Sequence, residues 1–223
     1  MKSVSVIIPA LDAARWLPGC LEAVSGAEAV IVVDGGSRDG TVEVARARGA
    51  KVVCAPCGRG PQLKAGAEAA ASEWLLFLHA DTVLDPSWRA DVEAFASESR
   101  NERRAAVFTF AVDDGSAQAR RLEAIVRWRG RVLGLSYGDQ GLLISRAFYD
   151  EIGGFSLLPI MEDVDLVRRI GRARLTVLPS RAVTSAERWR REGWTRRSAR
   201  NLGCLGLYFA GVPVRHIERL YRS

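Results

Sequence analysis

A histidine and an aspartate two residues apart, His79 and Asp81, close the apolar run Trp74-Leu75-Leu76-Phe77-Leu78. An imidazole and a carboxylate at this spacing can offer two ligands to manganese or magnesium, with substrate phosphates filling the rest of the shell. Asp34 ends a second apolar run, Val30 to Val33, and is followed by Gly35-Gly36. There it could accept hydrogen bonds from a nucleobase or a ribose. Glu162 and Asp163 open an amphipathic segment, and a carboxylate so placed could serve as a general base. Arg59, between two glycines, could bring a guanidinium to a diphosphate. Each group has a plainer use as well. Asp34 and Asp39 could cap a turn, Asp81 a helix, and Glu162, Asp163 and Asp165 could answer a helix dipole. As a set, Asp34, Asp81 and Asp163 supply the ingredients of a nucleotide site, a metal site and a base. No cysteine or serine stands with a local histidine partner, which argues against nucleophilic catalysis.

The elements that would hold these groups read as an alternation. Val4 to Ile8 is a β-branched strand, with Pro9 where ladder bonding stops. Asp12 would cap a helix carrying Trp16, Leu17, Leu21 and Val24. Ala29 to Val33, a helix from Thr41 to Arg48, and the strand Lys51 to Cys54 follow. Gly58-Arg59-Gly60 reads as a mobile loop before a helix from Gln62 to Ala71. Trp74 to Asp81 then reads as the central buried strand, with His79 and Asp81 leaving it on one face. A β-α-β-α-β-α-β order builds a parallel sheet with helices on both faces, and ligands bind beyond the carboxyl ends of its strands.

The second half is less regular. A helix is expected from Asp85-Pro86-Ser87 to Ser99, a strand over Ala105 to Val112, and a basic amphipathic helix over Ala117 to Leu135. Gly138-Asp139-Gln140-Gly141 leads to a strand over Leu142 to Ser145, and Leu175 to Leu178 is a last strand. An arginine-rich stretch from Arg188 to Arg200 and an apolar one from Leu202 to Val214 end the chain.

The 223 residues suffice for a sizeable core, and the composition is globular at 48% hydrophobic and 26% charged. The net charge of +6 is concentrated in the Arg188 to Arg200 stretch, which suits an anionic partner or a solvated helix face. Cys54 and Cys57 have C-x-x-C spacing, but no second pair completes a zinc site. Reduced, non-catalytic thiols fit a reducing cytoplasm. The first residues make a poor signal peptide, and no apolar run is long enough to span a bilayer. G-x-G-x-x-G after the first strand and a phosphate-binding P-loop are both absent, so NAD-dependent and simple ATP-dependent chemistry lose support.

Taken in order and spacing, IIPALD, VVDGGSRDGT, LHADT, GDQG and MEDVDL resemble the family 2 glycosyltransferases of the GT-A fold. Within them the chain is similar to the small bacterial selenium-domain or arsenosugar-associated group. The resemblance covers essentially the whole chain. It implies a Rossmann-like α/β fold with a mixed, mainly parallel sheet, and an inverting transfer from a nucleotide sugar, a UDP-sugar foremost, to a hydroxyl acceptor. Carried over, Asp163 would be the catalytic base with Glu162 beside it, and Asp81 with His79 would stand at the D-x-D position for Mn2+ or Mg2+. Donor contacts would come from Pro9, Ala10, Asp12, Asp34, Gly35, Arg59, Gln62, Ala80, Gln140, Arg188 and Trp189. The chain departs from the pattern at His79, where the family has a carboxylate, and at Asp12-Ala13, where Asn-Glu is usual. No histidine follows Asp163 closely, since His216 lies near the end.

The resemblance further implies a transferase domain over 1–185, divided into a nucleotide-binding half, 1–84, and an acceptor half, 85–185, with a basic and apolar helical segment over 186–223. A cytoplasmic enzyme is expected, peripheral at an anionic membrane surface if the 186–223 segment lies on lipid, and a lipid-linked acceptor would suit that placement. No nucleic-acid partner is expected. One rival reading is a non-catalytic membrane-surface protein on a decayed transferase fold. The other is a sugar nucleotidyltransferase, which would need a glycine-rich basic loop after the first strand where Pro9-Ala10-Leu11-Asp12 stands.

Overall fold

Short β-branched runs that end at acidic residues or glycines alternate with helices along the first half, and the chain lays them down as a sheet. The computed structural model describes residues 2–133 and 138–222. In chain order the first half comprises β1 (Val4–Ala10), α1 (Leu17–Ala23), β2 (Ala29–Asp34), α2 (Thr41–Ala47), β3 (Lys51–Cys54), α3 (Arg59–Ala69) and β4 (Trp74–Phe77). There follow β5 (Thr82–Leu84), α4 (Trp88–Ser97), β6 (Ala105–Val112), α5 (Ala117–Leu133), β7 (Leu142–Ser145) and α6 (Arg146–Glu151). Then come α7 (Glu162–Ile170), β8 (Leu175–Thr184), α8 (Glu187–Glu192), α9 (Trp194–Phe209) and α10 (Val214–Arg222).

The strands form one sheet in the order β3-β2-β1-β4-β7-β6-β8-β5. β1 to β4 are mutually parallel; β7 runs against β4 and β6, β8 is parallel to β6, and β5 is antiparallel to β8. The sheet is thus mixed and mainly parallel, as expected. Alternate residues of β1 feed two cores. Val6, Ile8 and Ala10 join Leu17, Leu21, Trp88 and Phe95 on one face, and Ile7 joins Leu63, Phe77, Phe148 and Phe155 on the other. Helices on both faces therefore fix the level at which the strands end.

Several expectations give way to the structure. Pro9 lies inside β1, paired with Val33, because pairing with β4 has ended at Ile7 and no ladder bond is lost on that side. Asp12 does not cap α1: the helix starts at Leu17 with Trp16 before it, and Asp12 sits in a loop at φ 49°. The central strand stops at Phe77, so His79-Ala80-Asp81 is a turn, with Thr82 N donating to His79 O at 3.2 Å. Gly58-Arg59-Gly60 is no mobile loop. Arg59 and Gly60 begin α3, Gly60 N donates to Leu158 O at 3.1 Å, and a Cβ on Gly60 would stand 2.3 Å from Ser156 O. The last strand continues to Thr184, because a register shift opposite Phe108 and Thr109 accommodates Pro179 and Ser180. The expected end of the long basic helix at Leu135 lies outside the described residues.

The arginine-rich stretch is built into the fold. Trp189 stacks on Trp194 with ring centroids 6.2 Å apart, and the Arg197 guanidinium lies 4.8 Å from the Trp189 ring. Arg197 and Arg200 both pair with Glu192, and Arg190 pairs with Asp114. α9 and α10 then pack Cys204, Tyr208, Val214 and Ile217 onto Ile160 and Met161, immediately ahead of α7.

Candidate active site

The crevice opens beyond the carboxyl ends of β1, β2 and β4. On its β1–β2 side the loops are tied to one another. Asp34, buried, accepts from Gly36 N at 3.0 Å and from Ser37 N at 3.2 Å. Asp12 accepts from Arg38 N at 2.8 Å and donates its own N–H to Ser37 Oγ at 2.9 Å. Asp39 accepts from Ala14 N at 3.0 Å and from the Thr41 hydroxyl, and these bonds hold its pKa below the usual carboxylate range. Gln62 of α3 is buried; its Nε2 donates to Ala10 O and Val33 O, each at 2.8 Å, fixing the two strand ends. Gly35 packs directly on that amide: a Cβ there would stand 3.0 Å from Gln62 Nε2.

The His79-Ala80-Asp81 turn forms the floor. The buried Cys20 thiol donates to His79 O at 3.4 Å and Ser185 N donates to Asp81 O at 3.2 Å, so the turn is held from both sides. Burial, reinforced by Arg59, lowers the His79 imidazole to about 4 against the pull of Asp81 and Asp163. It is therefore neutral near pH 7 and able to offer a lone pair. The Asp81 carboxylate takes no hydrogen bond or ion pair from the described residues.

The opposite wall is the start of α7. Met161 enters it in the left-handed conformation, φ 63°, an uncommon state for a side-chain-bearing residue that is frequent at functional sites. Asp163 Oδ2 accepts from Gly138 N at 2.9 Å, Oδ1 accepts from Val164 N at 2.8 Å, and Arg59 Nη2 lies 4.0 Å from Oδ2. Burial would raise this carboxyl, but Arg59, the two N–H groups and His79 outweigh it and hold the pKa below the ordinary value. Glu162 is fully buried, with Arg59 Nε 2.8 Å from Oε1. The contact is poorly directed, and neither Glu162 oxygen has a hydrogen-bond partner among the described residues. Burial pushes this carboxyl up to about 8 in spite of Arg59.

Gly138 is where the two walls meet. A Cβ on it would stand 2.7 Å from His79 Nε2 and 3.4 Å from Asp163 Oδ2, so no other residue fits without moving one of them. Beneath lies a cavity of about 20 Å³ bordered by His79, Gly138, Glu162, Asp163, Leu63 and Phe155, room for about one water molecule.

Of the residues singled out in the sequence, His79, Asp81, Asp163, Glu162 and Arg59 converge on this point. Arg188, exposed, is near enough to His79 to depress its pKa further. Pro9, Ala10, Gly35 and Ala80 line the strand ends. Gln62 Nε2 is occupied by the backbone, and Gln140 Nε2 donates to Phe108 O at 3.1 Å while its Oε1 has no partner. The Trp189 ring is buried in a core with Phe110 and Val126, where α8 packs it under α9. Gly138 and Asp139 were not singled out. Asp139 is raised to about 6 by burial and by Asp163, against Arg129. Tyr221 of α10, also missed, is close enough to act on the charge of Arg59.

The sequence model described as Glycosyl transferase family 2 matches residues 5–119, more than half of the chain. The chain belongs to glycosyl transferase family 2. The PGL/p-HBAD biosynthesis glycosyltransferases of Mycobacterium bovis and Mycobacterium tuberculosis are 34% identical to this family 2 chain over 106 residues. The match covers 42% of it, and the chain spans about two fifths (41%) of the length of these curated relatives. Glucosyl-3-phosphoglycerate synthase from M. tuberculosis, solved with Mn2+ and uridine-diphosphate-glucose, superposes with a TM-score of 0.61 at 20% identity, over 95% of this chain and 80% of that one. The same synthase with Mg2+ and uridine-diphosphate gives a TM-score of 0.58 at 22% identity, over 82% and 70%. These likenesses establish the GT-A fold for the chain. Among the described residues no helix is long and apolar enough to cross a membrane.

Proposed function

We propose that the chain transfers a sugar, with inversion, from a UDP-sugar to a hydroxyl acceptor, with Asp163 as the general base. The observation that carries this reading is the setting of Asp163. It is an ionised carboxylate at a helix start, held by the Gly138 and Val164 N–H groups and facing a neutral His79 across the mouth of the crevice. In the reaction the acceptor oxygen bonds to the anomeric carbon from the face opposite the nucleotide. The bond to the diphosphate oxygen breaks with its electron pair, and the acceptor proton passes to Asp163.

Arg59 couples the two events. Without donor its guanidinium is spent on Glu162 and Asp163. Turning toward a diphosphate would give the leaving group a countercharge and remove the cation that lowers the basicity of Asp163. The side chain is partly exposed, at 34%, which leaves it room to move.

The donor set fits a divalent cation that arrives with the diphosphate. His79 is neutral, and among the described residues the Asp81 carboxylate has no ion pair and no three acidic, histidine or cysteine side chains form a closed cage. Asp81 and His79 would hold Mn2+ or Mg2+, which when bound supplies Lewis-acid neutralisation of the departing diphosphate. The acceptor would approach over the 138–140 turn, where Asp139 Oδ1 and Gln140 Oε1 lack hydrogen-bond partners among the described residues. The test is turnover of a UDP-sugar panel by wild type and Asp163→Asn. Loss of transfer with donor binding kept supports the base assignment, and normal turnover by the variant removes it.

A further inference from the structure

On its outer side, α5 presents an apolar stripe on which nothing packs among the described residues. Ile125 is 60% exposed, Trp128 58% and Val132 44%, at spacings that place them along one side of the helix. The other side is firmly seated: Ala119, Leu122 and Val126 pack with Trp189 and Trp194. The exposure therefore belongs to a well-anchored helix. Arg121 lies within the stripe's side and Arg120 and Arg127 further round the exposed surface of the helix; all three are exposed, and none pairs with a carboxylate among the described residues. The one acid of the helix, Glu123, faces inward and accepts from Val112 N at 2.9 Å. The C-terminal segment, which the sequence marks as the lipid-facing part, differs in this respect. Four of its arginines, Arg190, Arg191, Arg197 and Arg200, are spent on Asp114 and Glu192, while Arg188, Arg196, Arg215 and Arg219 are exposed.

We infer that α5 docks the chain on an anionic lipid surface, with Ile125, Trp128 and Val132 entering the headgroup boundary and Arg120, Arg121 and Arg127 meeting lipid phosphates. Tryptophan and arginine around an apolar stripe suit that boundary. A second copy of the chain is the poorer occupant. A two-fold contact through this face would set arginines against arginines with no exposed acid on the helix to neutralise them. The inference stands apart from the transfer reading, because vesicle binding is read without nucleotide.

The test is flotation of the full chain with phosphatidylcholine vesicles, with and without phosphatidylglycerol, at low and high salt. Wild type is expected to float only with phosphatidylglycerol vesicles and to be released at high salt. The pairs Ile125→Ser/Trp128→Ser and Arg121→Gln/Arg127→Gln should each lower partitioning on the order of tenfold. Both change exposed side chains, so wild-type melting temperatures are expected. A Leu202→Ser/Phe209→Ser pair, on the exposed face of α9, should float as wild type does. Absence of wild-type binding overturns the inference, as does loss of binding confined to the α9 pair. It is overturned equally by a wild-type dimer in light scattering that the Ile125/Trp128 pair dissolves.

Discussion

Of the two walls of the crevice, the one built from β1, β2 and α3 has closed its hydrogen bonds, whereas the one built from the 138–140 turn and α7 has left them open. On the first, Asp12, Asp34, Asp39 and Gln62 each meet backbone or side-chain partners at 2.8 to 3.2 Å. No buried side-chain nitrogen or oxygen before Thr82 lacks a partner among the described residues. On the second, Glu162 Oε2, Asp139 Oδ1 and Gln140 Oε1 have none, and Glu162 Oε1 meets only the poorly directed Arg59 guanidinium. A buried polar atom without a partner costs about 1–3 kcal/mol, so such a group persists where a ligand or water completes it. On the proposed function, the closed wall would set position and the open wall would receive the acceptor and the reacting proton.

The sharpest test of that division is the largest. Asp163→Asn should lower transfer by about 10²–10⁴-fold, measured by product formation, while calorimetry finds UDP-sugar affinity retained, since the amide oxygen can still accept from Gly138 N. On the closed wall, Gln62→Ala should cost about 1–3 kcal/mol in denaturant unfolding, because Ala10 O and Val33 O lose a shared donor. If stability were unchanged and donor affinity collapsed, the amide would belong to the donor and the division between the walls would fail.

A separate effect distinguishes the walls by pH. Glu162 is raised from 4.5 to about 8 by burial, so within that range the native chain keeps a proton that the unfolded chain has released. Stability should therefore fall as pH rises across that window, and Glu162→Gln should flatten the slope in melting-temperature profiles. The opposite slope would mean that Arg59 keeps Glu162 ionised. Smallest of all, Cys54→Ser/Cys57→Ser should leave melting temperature and turnover at wild-type levels, since both thiols are exposed and free at the margin of the closed wall.

The closed wall was the more legible in sequence. Its strands are short apolar runs that stop at Asp34 or His79, and its helices follow at regular intervals, so local pattern carries the order. What local pattern could not carry was anything decided by distant chain. Arg59 and Gly60 look mobile until the 156–159 backbone is set against them. His79 and Asp81 look like successive positions of a strand, yet β4 ends at Phe77 and the turn is held by Cys20 and Ser185. β5 is too short to read, with only Thr82, Val83 and Leu84 paired to β8.

In the site, the acidic and basic groups were legible because their chemistry is unusual at element ends. Gly138 was not, because its role is steric: it is the one residue that fits between His79 and Asp163. Asp139 stood in plain view within GDQG and read as turn chemistry; only its burial beside Asp163 marks it. Trp189 read as a ligand contact because a tryptophan beside arginines suits one, and its partner Trp194 explains the burial instead.

The measurement that bears most directly on the account is titration calorimetry of UDP-sugars, with and without Mn2+, on wild type, Asp81→Ala and Asp163→Asn. Mn2+-dependent binding of a UDP-sugar is expected for wild type, about tenfold or more weaker in Asp81→Ala and unchanged in Asp163→Asn. Failure of every UDP-sugar to bind the wild-type chain, with or without Mn2+, would contradict the proposed function.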